Sequence, residues 1–398
     1  MRVSTSQYYN QSVFAIDNQQ NTLATLQEEM SSGLKINSAE DDPVGESQVL
    51  SINQNLSDNT QWQSNVSDLQ SRLGLENSAL SSVSQILNKI NGLAIEGNSG
   101  GLSDSDRQSI AQQLQQQLNQ LVTQANTTDG QGLYLFGGTQ SGSVPFTATS
   151  AGVTYNGNSN VNMVTVGANN SVQDTDAGDY TFMNVKNGNG TFQVAATATN
   201  TGTAQITDAE VTDSSQWVPG TYTISFLGGN YTVTDSLGNT VTSGTYTSGQ
   251  AIQFDGTSIL MTGTPADNDS FTVSPSQNQS VFATVQNLIN DFSTPDSTNA
   301  SQAAVNATSL FADLQSLDGA MGHITDVNAG AGARVQSLGD IATQLSSFQT
   351  QMQTALSNVQ DVDYASASSQ FSQSQLILQA AEQSYVTVKN LSLFNYLK

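Results

Sequence analysis

The 398-residue chain contains no cysteine and a single histidine, His323. Without thiols there is no disulfide framework and no thiolate metal site. One imidazole excludes an HExxH zinc site and any multi-histidine centre. A Ser-His-Asp triad would have to use His323, and its neighbours Gly322 and Ile324 suggest no such role. Basic residues are scarce: nine Lys and Arg stand against 33 Asp and Glu, for a formal net charge of −24. A phosphate backbone is repelled by such a chain, so nucleic acid is not an expected partner. Anionic membrane surfaces are equally poor partners. No apolar run approaches the roughly twenty residues of a membrane span, so membrane insertion is not expected either. The opening MRVSTSQYYNQSVF has no apolar h-region and no A-x-A-like cleavage site, so a cleaved secretory signal is not expected.

What the chain does have is periodicity. Residues 1–130 and 281–398 repeat apolar side chains at helical spacing, and residues 139–278 alternate Thr, Val, Tyr and Phe between Gly, Asn and Asp turns. Ile52, Asn59, Val66, Leu73, Leu80, Leu87 and Ala94 recur every seven residues, with Asn55, Trp62, Leu69, Glu76, Val83 and Ile90 as the companion row. A second seam runs from Ile324 through Leu338, Leu345 and Met352 to Val362. Alternating three–four spacing is the a/d seam of a coiled coil, and neither helix can bury such a stripe alone. The seams are therefore paired. The expected class is α+β, a long helical bundle or coiled-coil frame built from both chain ends with an inserted antiparallel β domain. The expected domains are 1–42 with 363–398 as a terminal coiled coil, 43–138 with 279–362 as the long bundle, and 139–278 as the β insert.

Within this frame, Ser103 and Asp106 predict a capping box, and Gly228-Gly229 predicts a hairpin turn. Gly330 and Gly332 leave two readings open, a helix that begins after Gly332 or one that runs through it. The acidic run Glu40-Asp41-Asp42 precedes Pro43 and Glu46. Paired carboxylates bind metals or move protons, but no His or Cys accompanies these, and adjacent carboxylates alone make a weak site. Proline belongs at the first helical position, which makes Asp42 the N-cap and places Glu46 where the helix dipole favours a carboxylate. No metal, cofactor or catalytic residue is expected. Glu76 and Arg334 interrupt the two apolar seams. With the helices antiparallel and Gly45 level with Val359, Glu76 falls near residue 328. The expectation is a buried charge pair, direct or through Arg72, that sets the register; the alternative is that both side chains reach solvent.

The two ends carry thinner seams. Tyr9, Ile16, Leu23 and Met30 are spaced by seven, as are Phe371, Leu378 and Tyr385, with Val388, Leu391 and Phe394 beyond. Such helices are marginal alone and are expected to pack against copies of themselves.

LQEEMSSGLKINSAEDDPVGESQVLSI, from Leu26, and DVDYASASSQFSQSQLILQAAEQSYVTVKNLSLFNYLK, from Asp361, resemble the two terminal signatures of the bacterial flagellin superfamily. The MRVST opening, Asp42-Pro43, the Tyr134-Leu135-Phe136 entry to the insert, the TPADNDSFTV stretch from Thr264 and the NLSLFNYLK ending are similar to the hook-associated, hook–filament junction branch of that superfamily. The resemblance implies a structural adaptor, not an enzyme. It implies a ring of copies between the hook-associated protein 1 layer and flagellin. It also implies export, unfolded, through the flagellar type III apparatus without a cleaved signal, and an export chaperone on the C-terminal helix. It places the protein outside the cell, with the terminal helices as inner tube wall and the β domain facing solvent. The alternatives are a flagellin-type filament subunit and an enzyme within the insert. The second would rest on Asp267 and Asp269, whose spacing is that of an ordinary turn. Recognition by innate immune receptors through the segment at Ile86–Gly100 is not expected, since Asn91 and Gly92 stand where flagellins carry Arg and Glu.

Overall fold

The computed structural model describes residues 5–98, 102–149, 152–295 and 298–390. Among these, six α-helices occupy the chain ends: α1 (Thr5–Ser32), α2 (Pro43–Gly97), α3 (Asp104–Ala125), α4 (Val281–Ser293), α5 (Ala300–Gln360) and α6 (Tyr364–Asn390). Between α3 and α4 lie β1 (Phe146–Thr149), β2 (Gly152–Tyr155), β3 (Met163–Gly167), β4 (Asn170–Gln173), β5 (Val185–Lys186), β6 (Phe192–Ala196) and β7 (Gln205–Val211). They are followed by β8 (Tyr222–Leu227), β9 (Asn230–Thr234), β10 (Thr240–Thr245), β11 (Ala251–Phe254), β12 (Thr257–Thr262), β13 (Ser270–Pro275) and β14 (Asn278–Gln279). Every strand pair described is antiparallel. The class is α+β, with helices at both chain ends and an antiparallel β insertion between them. The chain divides into two compact units, Met1–Ser64 with Ile341–Lys398, and Asn65–Asp340.

In the first unit α1 packs along α6. Their connections to α2 and α5 are stitched together by backbone. Lys35 N donates to Gln360 O (2.6 Å) and Val362 N donates to Gly33 O (3.0 Å). Gly33 supplies the left-handed turn that ends α1 (φ 78°), which a side chain at this position would strain. Further along, buried Asn59 donates to Leu345 O (3.1 Å), and Gln63 donates to Gln349 (3.0 Å). Polar residues in seam positions thus hydrogen-bond across the helix pair, which is how a buried amide is tolerated.

The second unit holds two apolar cores. Leu80, Val83, Leu87 and Ile90 of α2 pack with Leu114, Leu118 and Leu121 of α3, Val285 and Leu288 of α4, and Leu317 and Ile324 of α5. Phe136, Phe146, Phe182 and Phe282 close one end of this core as an edge-to-face and tilted ring cluster, with centroids 5.1–5.7 Å apart. The other core is a sandwich of a five-stranded sheet, β10-β9-β8-β13-β6, and a three-stranded sheet, β11-β12-β7. Part of segment 139–278 therefore belongs with the helices: Phe146, Phe182 and Val185 share the helical core, and the sandwich core begins at Phe192. The Gly228-Gly229 turn joins β8 to β9 with both glycines at positive φ (60° and 78°), as a two-residue primed turn requires.

The capping box is present at Ser103, with both reciprocal bonds. The helix α5 runs unbroken through Gly330 and Gly332, and a Cβ at either would meet nothing within 4 Å. Gly330→Ala is therefore expected to stabilise the chain by about 1 kcal/mol, through helix propensity alone. Urea unfolding followed by circular dichroism checks this; a lower midpoint in the variant would contradict a helix interior at this position.

Candidate assembly faces and a buried ionic clamp

The joint between α1 and α2 is built by the acidic run. Asp41 accepts from Ser38 N (2.8 Å) and Asn37 N (3.0 Å), and these backbone donors hold its carboxyl below the usual carboxylate range. Pro43 opens α2, Asp42 Oδ1 accepts from Val44 N (3.1 Å), and Glu46 lies in the first turn. A Cβ at Gly45 would sit 2.4 Å from Ile36 Cδ1 and 2.6 Å from Asp42 Oδ2, so the connection is tightly packed and a side chain there would displace both. The Asp41 and Asp42 carboxylates act as backbone acceptors.

On the terminal helices, Tyr9 and Tyr385 meet as tilted rings with centroids 5.3 Å apart. Ile16, Leu23, Met30, Phe371 and Leu378 are half-buried along the helix pair. Leu391 and Phe394 lie outside the described residues, as does the Val388 side chain. Tyr364 Oη donates to Met30 O (3.1 Å) and anchors the start of α6 to the end of α1. The same two helices present apolar side chains that sequence spacing did not single out. Phe14 and Leu376 are each 68% exposed, and Tyr8, Ile377 and Val386 are also exposed. They fall off the seven-residue rows, so a search for one buried stripe passes over them. The signal that would have found them is a second apolar stripe on the same helices.

In the second unit α2 and α5 run antiparallel, Ser81 facing Asn328 and Glu76 facing Arg334. A register with Gly45 level with Val359 puts Glu76 near residue 328, less than two turns from Arg334, and the two side chains reach across that distance. The Glu76 carboxyl is fully buried. Its Oε1 accepts from Asp176 N (2.8 Å), and its Oε2 lies 4.0 Å from Arg334 Nη2. Arg334 makes its close contact with the Asp176 carboxylate and donates to Asp174 O (3.3 Å). Arg72 does not bridge Glu76 to Arg334. It grips the Asp174 carboxylate (Nε–Oδ1 2.8 Å) and pairs with Asp129. Asp129 in turn accepts from Gln131 N (2.8 Å) and Leu133 N (3.0 Å), and these bonds together with Arg72 hold its pKa low against the desolvation that opposes them. The segment after β4, Asp174-Thr175-Asp176, is thus clamped between one arginine of each long helix, with Thr175 Oγ1 donating to Leu135 O (2.5 Å). The three aspartates of the clamp, Asp129, Asp174 and Asp176, come from loops, where helical periodicity says nothing of position; the closely spaced Asp174 and Asp176 were the available clue.

Burial, and then the Asp176 charge, push the Glu76 carboxyl up to about 8. Its Oε2 has no hydrogen-bond partner. Because the folded value is raised, Glu76 favours folding below its unfolded value, and that contribution is lost as pH rises through about 8.

The remaining residues weighed for chemistry have structural surroundings. His323 Nε2 is 2.8 Å from Tyr180 O, and the two rings meet edge-on. Asp267 accepts from Gly228 N, and Asp269 from Thr201, Gly202 and Ala266 N (2.7–2.9 Å). No group of three or more His, Cys, Asp and Glu among the described residues is arranged to hold a metal ion. No described helix is long and apolar enough to cross a membrane.

Comparison with known proteins agrees with this architecture. The bacterial flagellin N-terminal helical region matches residues 3–141, and the bacterial flagellin C-terminal helical region matches residues 314–397. The D2-like domain of flagellar hook-associated protein 1 matches residues 195–275, nearly the span of the sandwich core. A helical frame from both chain ends, closed around a β insertion, is thus that of a flagellin-superfamily protein. The solved FlgL of Xanthomonas campestris is 32% identical with a TM-score of 0.73, and the likeness covers 77% of this chain and 99% of that one. The flagellar junction protein FlgL of Legionella pneumophila is also 32% identical, with a TM-score of 0.70, over 79% and 99% of the two chains. Flagellar hook-associated protein 3 of Salmonella typhimurium is 34% identical over 152 residues, 38% of this chain, so the chain spans about half the length of that curated relative (48%). The chain belongs to the FlgL, or hook-associated protein 3, family.

Arg334→Ala is expected to cost about 3 kcal/mol, because it strands the Asp176 carboxylate in a mostly buried site. Glu76→Gln keeps the acceptor for Asp176 N and, at pH 6, is expected to cost no more than about 1 kcal/mol. It also removes the loss of stability as pH rises through about 8 that the native carboxyl causes. Urea unfolding at pH 6 and pH 9 checks all three. An Arg334→Ala variant as stable as the native chain would show the clamp to be idle.

Proposed function

We propose that this protein is a structural adaptor of the bacterial flagellum, forming a junction ring between the hook, through hook-associated protein 1, and the flagellin filament. The likeness to FlgL structures across 98–99% of their length supports this reading above all else. The terminal coiled coil of 1–42 with 363–398 would meet neighbouring copies. The bundle of 43–138 with 279–362 would supply both arginines of the clamp, and within 139–278 the sandwich from Phe192 onward would face solvent. The exposed apolar side chains of α1 and α6 support the first of these roles. They have the chemistry of an interface awaiting a partner. The axial residues we assign are Tyr9, Ile16, Leu23, Met30, Phe371, Leu378, Tyr385, Val388, Leu391 and Phe394, joined by Phe14 and Leu376. Export is proposed to proceed unfolded through the flagellar type III apparatus to the cell exterior, with a chaperone on the C-terminal helix. The net charge of −24 keeps such a chain soluble in transit.

A strain lacking the gene is expected to bear hooks without filaments and to release flagellin into the medium. Filaments of normal length in that strain would overturn the junction role. Purified protein that polymerises into long filaments would favour a filament subunit instead. Phe14→Glu combined with Leu376→Glu is expected to leave monomer stability within about 0.5 kcal/mol per site, since both side chains are exposed. The same pair is expected to abolish swimming, which soft-agar motility and thermal unfolding measure together.

A further inference from the structure

Four asparagines stand directly before glycine: Asn91, Asn156, Asn187 and Asn189. In such a pair the glycine backbone nitrogen can reach the asparagine Cγ, because no Cβ crowds its approach. The attack also needs that nitrogen free of a hydrogen bond and the side-chain amide free to turn. The fold treats the four pairs differently. Gly92 lies inside α2, where its N–H belongs to the helical ladder. Asn187 is buried; its Nδ2 donates to Gln193 Oε1 (2.6 Å), its Oδ1 accepts from Gln277 N (2.8 Å), and Gly188 N donates to Ser316 Oγ (2.8 Å). Asn189 Oδ1 accepts from Thr191 N (3.0 Å) and Phe192 N (2.9 Å), its Nδ2 donates to Ala209 O (3.2 Å), and Gly190 N donates to Asn187 O (3.3 Å). Asn156 follows β2 and is exposed. Its side chain makes one bond, from Nδ2 to the exposed Thr147 hydroxyl (2.9 Å). Gly157 N has no acceptor among the described residues.

We propose that Asn156 is a site of spontaneous covalent modification, converted through a cyclic succinimide to aspartate and isoaspartate, and that the fold selects it over the other three pairs. Hydroxide takes the proton of Gly157 N, and the nitrogen attacks Asn156 Cγ. The new N–Cγ bond forms, the Cγ–Nδ2 bond breaks, and Nδ2 takes up a proton and leaves as ammonia. Water then opens the ring. Opening at Cγ gives aspartate; opening at the backbone carbonyl carbon gives isoaspartate, with the main chain rerouted through the side chain. Water is the only reagent. Either product replaces an amide by a carboxylate, which adds one negative charge and removes the donor to Thr147. The isoaspartyl product also lengthens the main chain, and the loop has no room for that. A Cβ at Gly157 would lie 2.4 Å from Tyr155 Oη and 2.8 Å from Gly137 O. Tyr155 Oη is within hydrogen-bond distance of Phe136 O (3.0 Å) and Asn158 O (2.9 Å), and Asn158 Oδ1 accepts from Thr139 N (3.0 Å). Isoaspartate at 156 therefore disturbs the contact of this loop with residues 136–139, beside the Phe136 and Phe146 rings.

The test uses the full, unmodified chain and needs no variant. Folded protein is held at pH 7 and at pH 8, and a second sample is held unfolded in urea. Aliquots are digested with pepsin in acid, where hydroxide is scarce, and the peptides carrying the four pairs are followed by mass spectrometry. In the folded chain, Asn156 is expected to convert several-fold faster than Asn91, Asn187 and Asn189. Its rate is expected to rise by about tenfold from pH 7 to pH 8, because the attacking nitrogen must lose a proton far below its own pKa. In urea the four pairs are expected to convert at rates within about twofold of one another, since each then has the freedom of an unfolded chain. Fragmentation of the Asn156 peptide is expected to show isoaspartate, which direct hydrolysis of the amide does not produce. Folded protein in which another of the four pairs converts as fast as Asn156 would overturn the proposal. So would the same order of rates in urea as in the folded chain, a rate at Asn156 indifferent to pH, or aspartate as the only product.

Discussion

The architecture depends on apolar stripes that cannot be satisfied within one helix. The helix α2 is 55 residues long and α5 is 61, and each carries a seam that must be covered over most of that length. Pairing them brings together segments more than two hundred residues apart and leaves what lies between to emerge as an insertion. The closing contacts Lys35–Gln360 and Gly33–Val362 are the mark of that constraint within the first unit. Once the chain ends are joined there, α1 and α6 are side by side.

Stripes of Leu, Val and Ala attract without fixing register, because a shift of one heptad restores nearly the same contact. Polar residues set into the seam supply what apolar contact lacks. Asn59 finds the Leu345 carbonyl in one unit; Arg72 and Arg334 grip opposite ends of the Asp174–Asp176 segment in the other. Such a cluster contributes little net stability against well-packed apolar residues, but a slipped register leaves buried charge unpaired. The clamp also ties the β3–β4 hairpin to the helices, which explains why the first part of the insertion shares the helical core.

The recurrence of buried carboxyls is notable for a chain this acidic. Glu76 in one cluster, and Asp291 with Asp313 in another, lie where ionisation is opposed by burial and by a neighbouring acid. With nine Lys and Arg against 33 Asp and Glu, most acids have no cation of their own. The exposed acids are different. Asp41, Asp213 and Asp235 are held in ionised form by turn backbone and side-chain donors, and their pKa values move down.

Periodicity alone determined much of this protein. The two long seams, the Asp42-Pro43 helix start, the Ser103 capping box and the Gly228-Gly229 turn were legible because each rests on residues within a few positions of one another. The likeness of both termini to flagellins was legible for the same reason. Tertiary structure alone decided which groups Glu76 and Arg334 meet, the passage of α5 through Gly330 and Gly332, and the division of the insertion between two cores. It alone placed Asp129, Asp174 and Asp176 around two arginines. Local spacing records which face a residue takes on its own helix. It does not record which residue across the bundle will stand opposite, because that is fixed by the summed packing of the whole unit.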